Sequence, residues 1–413
     1  MTTRAPILAA ALAIGLLATP GAPQAAGKAD GFERGINVSS VFTYPEDAGW
    51  PPFRGPRAQF EDEEFDRLAE VGFDFIRLPV DPSPFDHVRS DRRAELFEDV
   101  ARFVARANGA GLAVIVSGHP THSDTAWLPE HDGEPGRASF EDYAVWLEDL
   151  TKAVNAVAPD RGAAIGLMNE PQSVCVIEDG TDWAEFQMVL HKRVRALTDL
   201  PIVLTGGCWS TIRGLEQLAE YPDDPDTLFD VHYYLPFAYT HQGATWATPI
   251  LAHVGGLRFP PHRTDPAEVD SAVTALLESR HDGTAEEARA IRRDAQAEID
   301  RYLAEAGWPG QIAEDFARLS QWADDRGIAR ERILLGEFGA IRPPEETEAD
   351  RKSRADYLRA VRRAAEVEGF GWAMWEYLSP FGLVETDPSR VLMPDVLEAL
   401  GLQRPAQPQG ARQ

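Results

Sequence analysis

Two glutamates stand at places in this chain where carboxyl chemistry could be arranged. Asn169-Glu170-Pro171 follows the apolar run Ala164 to Met168 directly, and Glu337 follows Ile333-Leu334-Leu335-Gly336 in the same way. If each run is a strand of a parallel barrel, both carboxyls lie at strand C-termini, the face on which barrel enzymes build their sites. Such a pair suits hydrolysis of a glycosidic bond. One group works as acid/base and the other as nucleophile or general base. A single Glu in a chain with 67 acidic residues is most often a solvated charge. Two of them, each preceded by an apolar run, are harder to dismiss.

Other strand ends add to the pair. Arg77 is expected at the end of the second strand, where it could hold a carboxylate ionised through charge-assisted hydrogen bonds. Its plain alternative is a structural ion pair inside the barrel. His119 follows the third strand and could donate to a sugar hydroxyl, or be a satisfied structural histidine. His232 and Tyr234 are two apart, so on an extended chain they share a face, and Tyr234 could hydrogen-bond the nucleophile. Trp375 ends the eighth strand and could stack on the apolar face of a pyranose. Trp209, after Leu204-Thr205-Gly206-Gly207-Cys208, is a second candidate platform. Trp372 reads nearly as well as core.

The elements that must position these groups follow from the hydrophobic pattern. Short apolar runs occur at Gly35 to Val38, Phe73 to Val80, Leu112 to Val116, Ala164 to Met168 and Pro201 to Thr205. They continue at Leu228 to His232, Arg332 to Leu335 and Gly371 to Met374. Amphipathic stretches of helical spacing lie between them, as in Phe60 to Val71, Leu96 to Ala107 and Tyr143 to Val157. Strands alternating with helices imply a parallel sheet with helical crossovers. Eight units predict an α/β fold, a single closed (β/α)₈ TIM barrel over residues 27–402. One connection is unusually long. An insertion after strand 6, about 237–310, opens with Phe237-Ala238-Tyr239-Thr240-His241-Gln242-Gly243-Ala244-Thr245-Trp246. It continues in charged helical stretches near 268–278 and 285–305, and the stretch at 313–326 that follows reads as a normal barrel helix. Long loops at this end of a barrel are commonly functional, and the aromatic start is expected to form a lid. Residues 403–413 read as a flexible tail.

Composition narrows the partner. The chain carries 67 acidic against 40 basic residues, a net charge of −27. This argues against nucleic acid or an anionic membrane as the main partner. Residues 1–26 have a short positive start at Arg4, an Ala/Leu-rich stretch and small residues near Ala25 and Ala26, the pattern of a secretory signal peptide. The stretch is too short for a typical span, so the expectation is an exported chain, periplasmic or extracellular. Export permits a disulfide between the two cysteines, Cys175 and Cys208. Two separate thiols are the even alternative, because sequence supplies no geometry.

Taken in order, Arg77, His119, Asn169-Glu170-Pro171, His232-Tyr233-Tyr234, Glu337 and Trp375 resemble glycoside hydrolase family 5, from about Gly31 to Leu402. Gly336-Glu337-Phe338-Gly339 and Gly371-Trp372-Ala373-Met374-Trp375-Glu376-Tyr377 are further local likenesses. The resemblance implies that Glu170 is the acid/base and Glu337 the nucleophile. It implies that Asn169 binds the sugar 2-hydroxyl, that the reaction retains configuration, and that no metal or organic cofactor takes part. Ser117-Gly118-His119-Pro120 departs from the pattern, since many members carry Asp two residues before the His. A retaining pair should stand about 5–5.5 Å apart. The pKa of Glu170 should lie above that of Glu337, with Arg77 and Tyr234 holding the latter low. The expected substrate is a β-linked poly- or oligosaccharide, first a β-1,4-glucan cut internally. A β-mannan and an exo-acting or exopolysaccharide reading are the alternatives. A sugar-binding barrel without activity is the alternative of another class.

Overall fold

The computed structural model describes residues 31–404 apart from 46–48, 57, 86–88, 122–137, 159–161, 172–182 and 386–388. The expected leader, Cys175 and residues 405–413 of the tail lie outside the described residues. Eight strands form: β1 (Arg34–Asn37), β2 (Phe75–Val80), β3 (Ala113–Gly118), β4 (Ala163–Gly166), β5 (Ile202–Thr205), β6 (Thr227–His232), β7 (Ile333–Phe338) and β8 (Gly371–Met374). They pair in parallel in chain order, and β8 pairs back onto β1 to close the barrel. Each expected run yields a strand, because strands buried on both faces read as continuous apolar runs.

Helices wrap the outside: α1 (Asp62–Val71), α2 (Ser90–Gly109), α3 (Ala138–Asn155), α4 (Trp183–Arg195) and α5 (Ile212–Glu216). The long connection from β6 to β7 holds α6 (Phe237–Thr240), α7 (Pro266–Arg280), α8 (Ala285–Ala304) and α9 (Gly310–Asp325). The outer layer closes with α10 (Glu348–Glu368) and α11 (Pro394–Ala399). α9 turns Ile312, Phe316, Leu319 and Trp322 inward, the i, i+4, i+7 spacing of a barrel-facing stripe. α10 starts on a capping box. Thr347 accepts the Asp350 amide, and the Asp350 carboxylate accepts the Thr347 amide, which satisfies two amides the helix leaves open.

Side chains inside the barrel form a cluster separate from the outer core. Phe32, Phe75, Ile115, Ala164, Val203, Leu228, Leu334 and Ala373 make an apolar floor. Gly35 leaves room for it, since a Cβ there would stand 2.2 Å from the Phe75 ring. Side chains alternate along a strand with period two, so the inward positions above this floor include Asn37, Arg77 and Asp230. All three are polar and buried.

Candidate active site

Arg77 lies in the middle of β2, not at its end as expected, and is 1% exposed. Its guanidinium organises the upper layer. Nη1 donates to Glu337 Oε1 at 2.7 Å and to Asn37 Oδ1 at 2.8 Å, and Nη2 donates to Asn169 Oδ1 at 2.7 Å. Nε faces Asp230 Oδ2 at 3.8 Å. Both readings of Arg77 therefore meet in one side chain: it pairs inside the barrel and it grips Glu337. Asp230 is fixed in turn by the Gly336 amide at 2.8 Å. A Cβ on residue 336 would sit 2.2 Å from that carboxylate, so glycine is required there.

Glu337 does not follow β7 but lies within it, and a bulge aims it. Val231 of β6 pairs with Leu335 and His232 with Glu337, so β7 spends two residues where β6 spends one. The same extra residue appears against β8, between Leu335 and Phe338. Leu334 belongs to the floor and Gly336 meets Asp230 inside the barrel. Strict alternation would point Glu337 outward. The bulge turns it inward, the use bulges commonly have beside active sites. Glu170 is aimed differently. It lies four residues past β4, with φ of 41°, a left-handed backbone that costs a non-glycine residue about 1 kcal/mol or more.

The two carboxyls meet at His232. Its Nδ1 lies 2.8 Å from Glu170 Oε1 and 3.5 Å from Glu337 Oε2, and its Nε2 lies 3.5 Å from Asp230 Oδ2. One oxygen of Glu170 and one of Glu337 lie within 4.8 Å of each other. Tyr234 donates its hydroxyl to Glu337 Oε2 at 2.9 Å. Glu337 is thus held at both oxygens and is almost fully buried, whereas the Glu170 side chain keeps 32% of its exposure.

Charge follows from this packing. Burial opposes a proton on His232, but Glu337, Asp230 and Glu170 outweigh it and raise its pKa to about 10. His232 is therefore an imidazolium at neutral pH, and its Nδ1–H donates to Glu170. Burial pushes the Glu337 carboxyl up. His232 and Arg77 pull it down, Glu170 adds to the rise and the Tyr234 hydrogen bond opposes it. The net direction is upward. This corrects the expectation that Arg77 and Tyr234 hold it low, since removal from water is the larger cause. Burial also drives His119 well below its usual value, helped by the charges of Arg77 and His232, so its imidazole is neutral.

Glu170, His232 and Glu337 are also the one group among the described residues whose donor atoms lie close enough to share a metal ion. Arg77 and the protonated His232 already occupy those lone pairs with positive charge. The set fits proton transfer better than cation binding.

The remaining expected residues take their places around this centre. The His119 ring stacks on Trp375 at 5.8 Å and 12°, and its buried Nδ1 has no hydrogen-bond partner among the described residues. Trp375, half-buried, follows β8 directly. The backbone N–H of Asn169 donates to Gly118 O at 2.8 Å. Trp209 is 50% exposed in a left-handed run with Cys208 and Ser210, and its amide donates to Pro171 O. Cys208 is disulfide-bonded, and Cys175, the chain's other cysteine, lies outside the described residues. Trp372 is fully buried against Phe73 and Phe338, so it is core and not a platform. Of the expected lid, Tyr239, Thr240, His241 and Ala244 pack inward, while Phe237 and Trp246 stay exposed.

Three site residues escape the sequence reading. Asn37 and Asp230 were detectable, as lone polar residues in apolar runs on the inward parity. Tyr44 had no signal. It sits in the loop after β1, and its phenol is pushed up by burial and then by the charges of Glu376, Glu337, Glu170 and Asp81. Its hydroxyl therefore lies within electrostatic reach of the same carboxyls, although the residue as a whole is 47% exposed.

A family model described as Cellulase (glycosyl hydrolase family 5) matches residues 50–378. Endoglucanase 3 of Fibrobacter succinogenes is 23% identical over 338 residues, 77% of this chain and 46% of its own length. The chain spans about half the length of the curated relatives it matches. Among solved structures, Thermotoga maritima Cel5A in complex with mannotriose superposes with a TM-score of 0.63 at 23% identity, covering 90% of this chain and 97% of that one. XEG5B, a xyloglucan-specific β-1,4-glucanase from a ruminal metagenomic library, gives 0.63 at 15% identity, covering 90% and 93%.

Proposed function

The chain belongs to glycosyl hydrolase family 5, and from that premise we propose that it is an exported retaining glycoside hydrolase that cuts β-1,4-glucan internally. The observation that carries this reading is the carboxyl pair. One oxygen of each glutamate lies within 4.8 Å of the other, which accords with the short separation of a retaining pair. The environments divide the roles. Glu337, gripped by Arg77 and Tyr234 and unable to reach bulk water, is the nucleophile. Glu170, on the half-exposed rim, is the acid/base.

In the first step a Glu337 oxygen forms a bond to the anomeric carbon as the bond to the departing oxygen breaks. Glu170 gives its proton to that oxygen. The imidazolium of His232, 2.8 Å away, then stabilises the carboxylate Glu170 becomes. In the second step Glu170 takes a proton from water, the hydroxide attacks the anomeric carbon, and Glu337 leaves as a carboxylate. Asn169, its Oδ1 committed to Arg77, presents its amide NH₂ to a sugar hydroxyl. Trp375 offers its ring to a pyranose face, backed by the stacked His119 ring. Trp209, exposed beside the Glu170 loop, offers a second ring.

Product analysis on soluble β-glucans and β-mannans tests the proposal. Mixed oligosaccharides from a β-1,4-glucan, absent with Glu337→Gln, are expected. On an aryl glycoside whose leaving group needs no protonation, Glu170→Ala should keep its first step while Glu337→Gln does not. Products from mannan alone would replace the glucan assignment. No product from any polymer by the folded protein would overturn the internal-cleavage reading.

A further inference from the structure

We propose that the β6–β7 insertion acts on the reaction through His241, a positioning residue that holds Tyr234 against Glu337. This rests on Glu337 being the nucleophile. The insertion does not simply cover the barrel mouth, because its first turn is built into the site. The His241 ring meets the Tyr234 ring edge-on at 5.0 Å and 74°, and meets Phe381 at 5.5 Å. Phe237 covers its outer side at 4.1 Å. Tyr234 thus has a wall of rings from two segments, and its hydroxyl reaches Glu337 Oε2 at 2.9 Å.

The backbone is tied through the same turn. Thr240 Oγ1 donates to Tyr234 O at 2.6 Å, and His241 Nδ1 lies 3.0 Å from that Oγ1. A threonine hydroxyl has one proton, and Tyr234 O takes it. The 3.0 Å contact therefore needs its proton on His241 Nδ1. Burial keeps this imidazole neutral, with its pKa lowered to about 3. It adds no charge to a centre already holding Arg77 and His232, and its effect is one of placement. Thr240 O accepts the Ile341 amide at 3.0 Å, so the same peptide binds the segment after β7. Behind the turn, the Tyr239 ring stacks on Tyr302 of α8, and its hydroxyl meets Ser353 of α10 at 2.9 Å. A continuous path runs from α8 through Tyr239, Thr240 and His241 to Tyr234 and Glu337.

The test is kinetic, with the full chain and whichever β-glucan the product analysis selects. His241→Ala should lower kcat between about 10- and 100-fold, the range a small misplacement near reacting groups produces, with KM little changed. The acid limb of the pH profile should move to higher pH, because a loosened Tyr234 no longer pulls the Glu337 carboxyl down. His241→Phe, which keeps the ring wall, should restore most of the rate. In a Tyr234→Phe background His241→Ala should add little. Equal losses in both backgrounds with an unmoved acid limb would overturn the proposal. If His241→Ala does not fold, Thr240→Val removes the tie to Tyr234 O and is held to the same two readouts. An active Glu337→Gln would remove the underlying reading. A dead Glu337→Gln beside an unaffected His241→Ala would remove this proposal alone.

Discussion

Two layers lie inside one barrel, one side-chain step apart along the same strands. The lower holds Phe75, Ile115, Ala164, Val203, Leu228, Leu334 and Ala373. The upper holds Asn37, Arg77, Asp230, His232 and Glu337, all buried. β2 contributes Phe75 and then Arg77, and β6 contributes Leu228, Asp230 and His232. The lower layer gains from leaving water. The upper layer loses by it, because buried charges cost several kcal/mol each unless partners restore what water supplied. Every charge there has such partners. The comparison teaches that stability and activity are assigned to different layers of one set of strands, and that the boundary between them is two residues thick.

The sharpest way to test that division is Glu337→Gln. The isostere keeps the packing and removes the nucleophile. Activity should fall on the order of 10⁴-fold or more, at least about 5.4 kcal/mol of transition-state stabilisation, while the melting midpoint moves by a few degrees at most. A variant that loses activity only by unfolding would erase the distinction.

Arg77→Met should damage both properties. It takes from Glu337 and Asp230 one of the two cations they face, and breaking a buried pair this way costs about 3–5 kcal/mol. Its effect on pH has a defined sign. Arg77 pulls the Glu337 carboxyl down against burial, so its loss raises that pKa further, and the acid limb of kcat/KM should shift to higher pH than in the wild type. An unmoved limb would mean that Arg77 serves Asp230 and the fold alone.

Leu334→Ala is the complementary cut in the floor, one pleat below. It should cost about 2–5 kcal/mol of stability by leaving a cavity. The rate per folded molecule should stay near that of the wild type. A tenfold fall in kcat would show that the floor also holds the geometry above it.

These layers were unequally legible in the sequence. The floor and its eight strands could be read because buried parallel strands are short apolar runs bounded by polar ones, and Leu228 to His232 or Gly371 to Met374 differ little from the observed bounds. The site was legible where a residue ends a strand, as His232 does, or follows one closely, as Tyr234 and Glu170 do. It was less so inside a strand. Arg77 was placed at the end of β2 and lies within it. Asp230 and Asn37 are single polar residues within apolar runs, and the parity that puts Leu228 inward also puts Asp230 inward. The bulge that turns Glu337 inward depends on how β7 pairs with both neighbours, and no local pattern in Leu334-Leu335-Gly336-Glu337 encodes it. Tyr44 and His241 reach the site by the paths of loops, which nothing in their own spacing reveals.

The smallest expected effect is a slope in stability against pH, and it asks whether the upper layer is balanced by His232. In the folded chain its pKa stands at about 10 because Glu337, Asp230 and Glu170 outweigh burial. An unfolded histidine titrates near ~6.5. Between these values the folded state holds a proton that the unfolded state has released. The stability this contributes is fully present below about pH 6.5 and is lost as pH rises through about 10. Urea unfolding at neutral pH and near pH 9.5 should therefore show the wild type losing more stability than His232→Gln, which keeps a hydrogen-bond donor but cannot titrate. Parallel losses would mean that His232 is neutral in the folded chain. Arg77 would then be the lone cation set against Glu337 and Asp230.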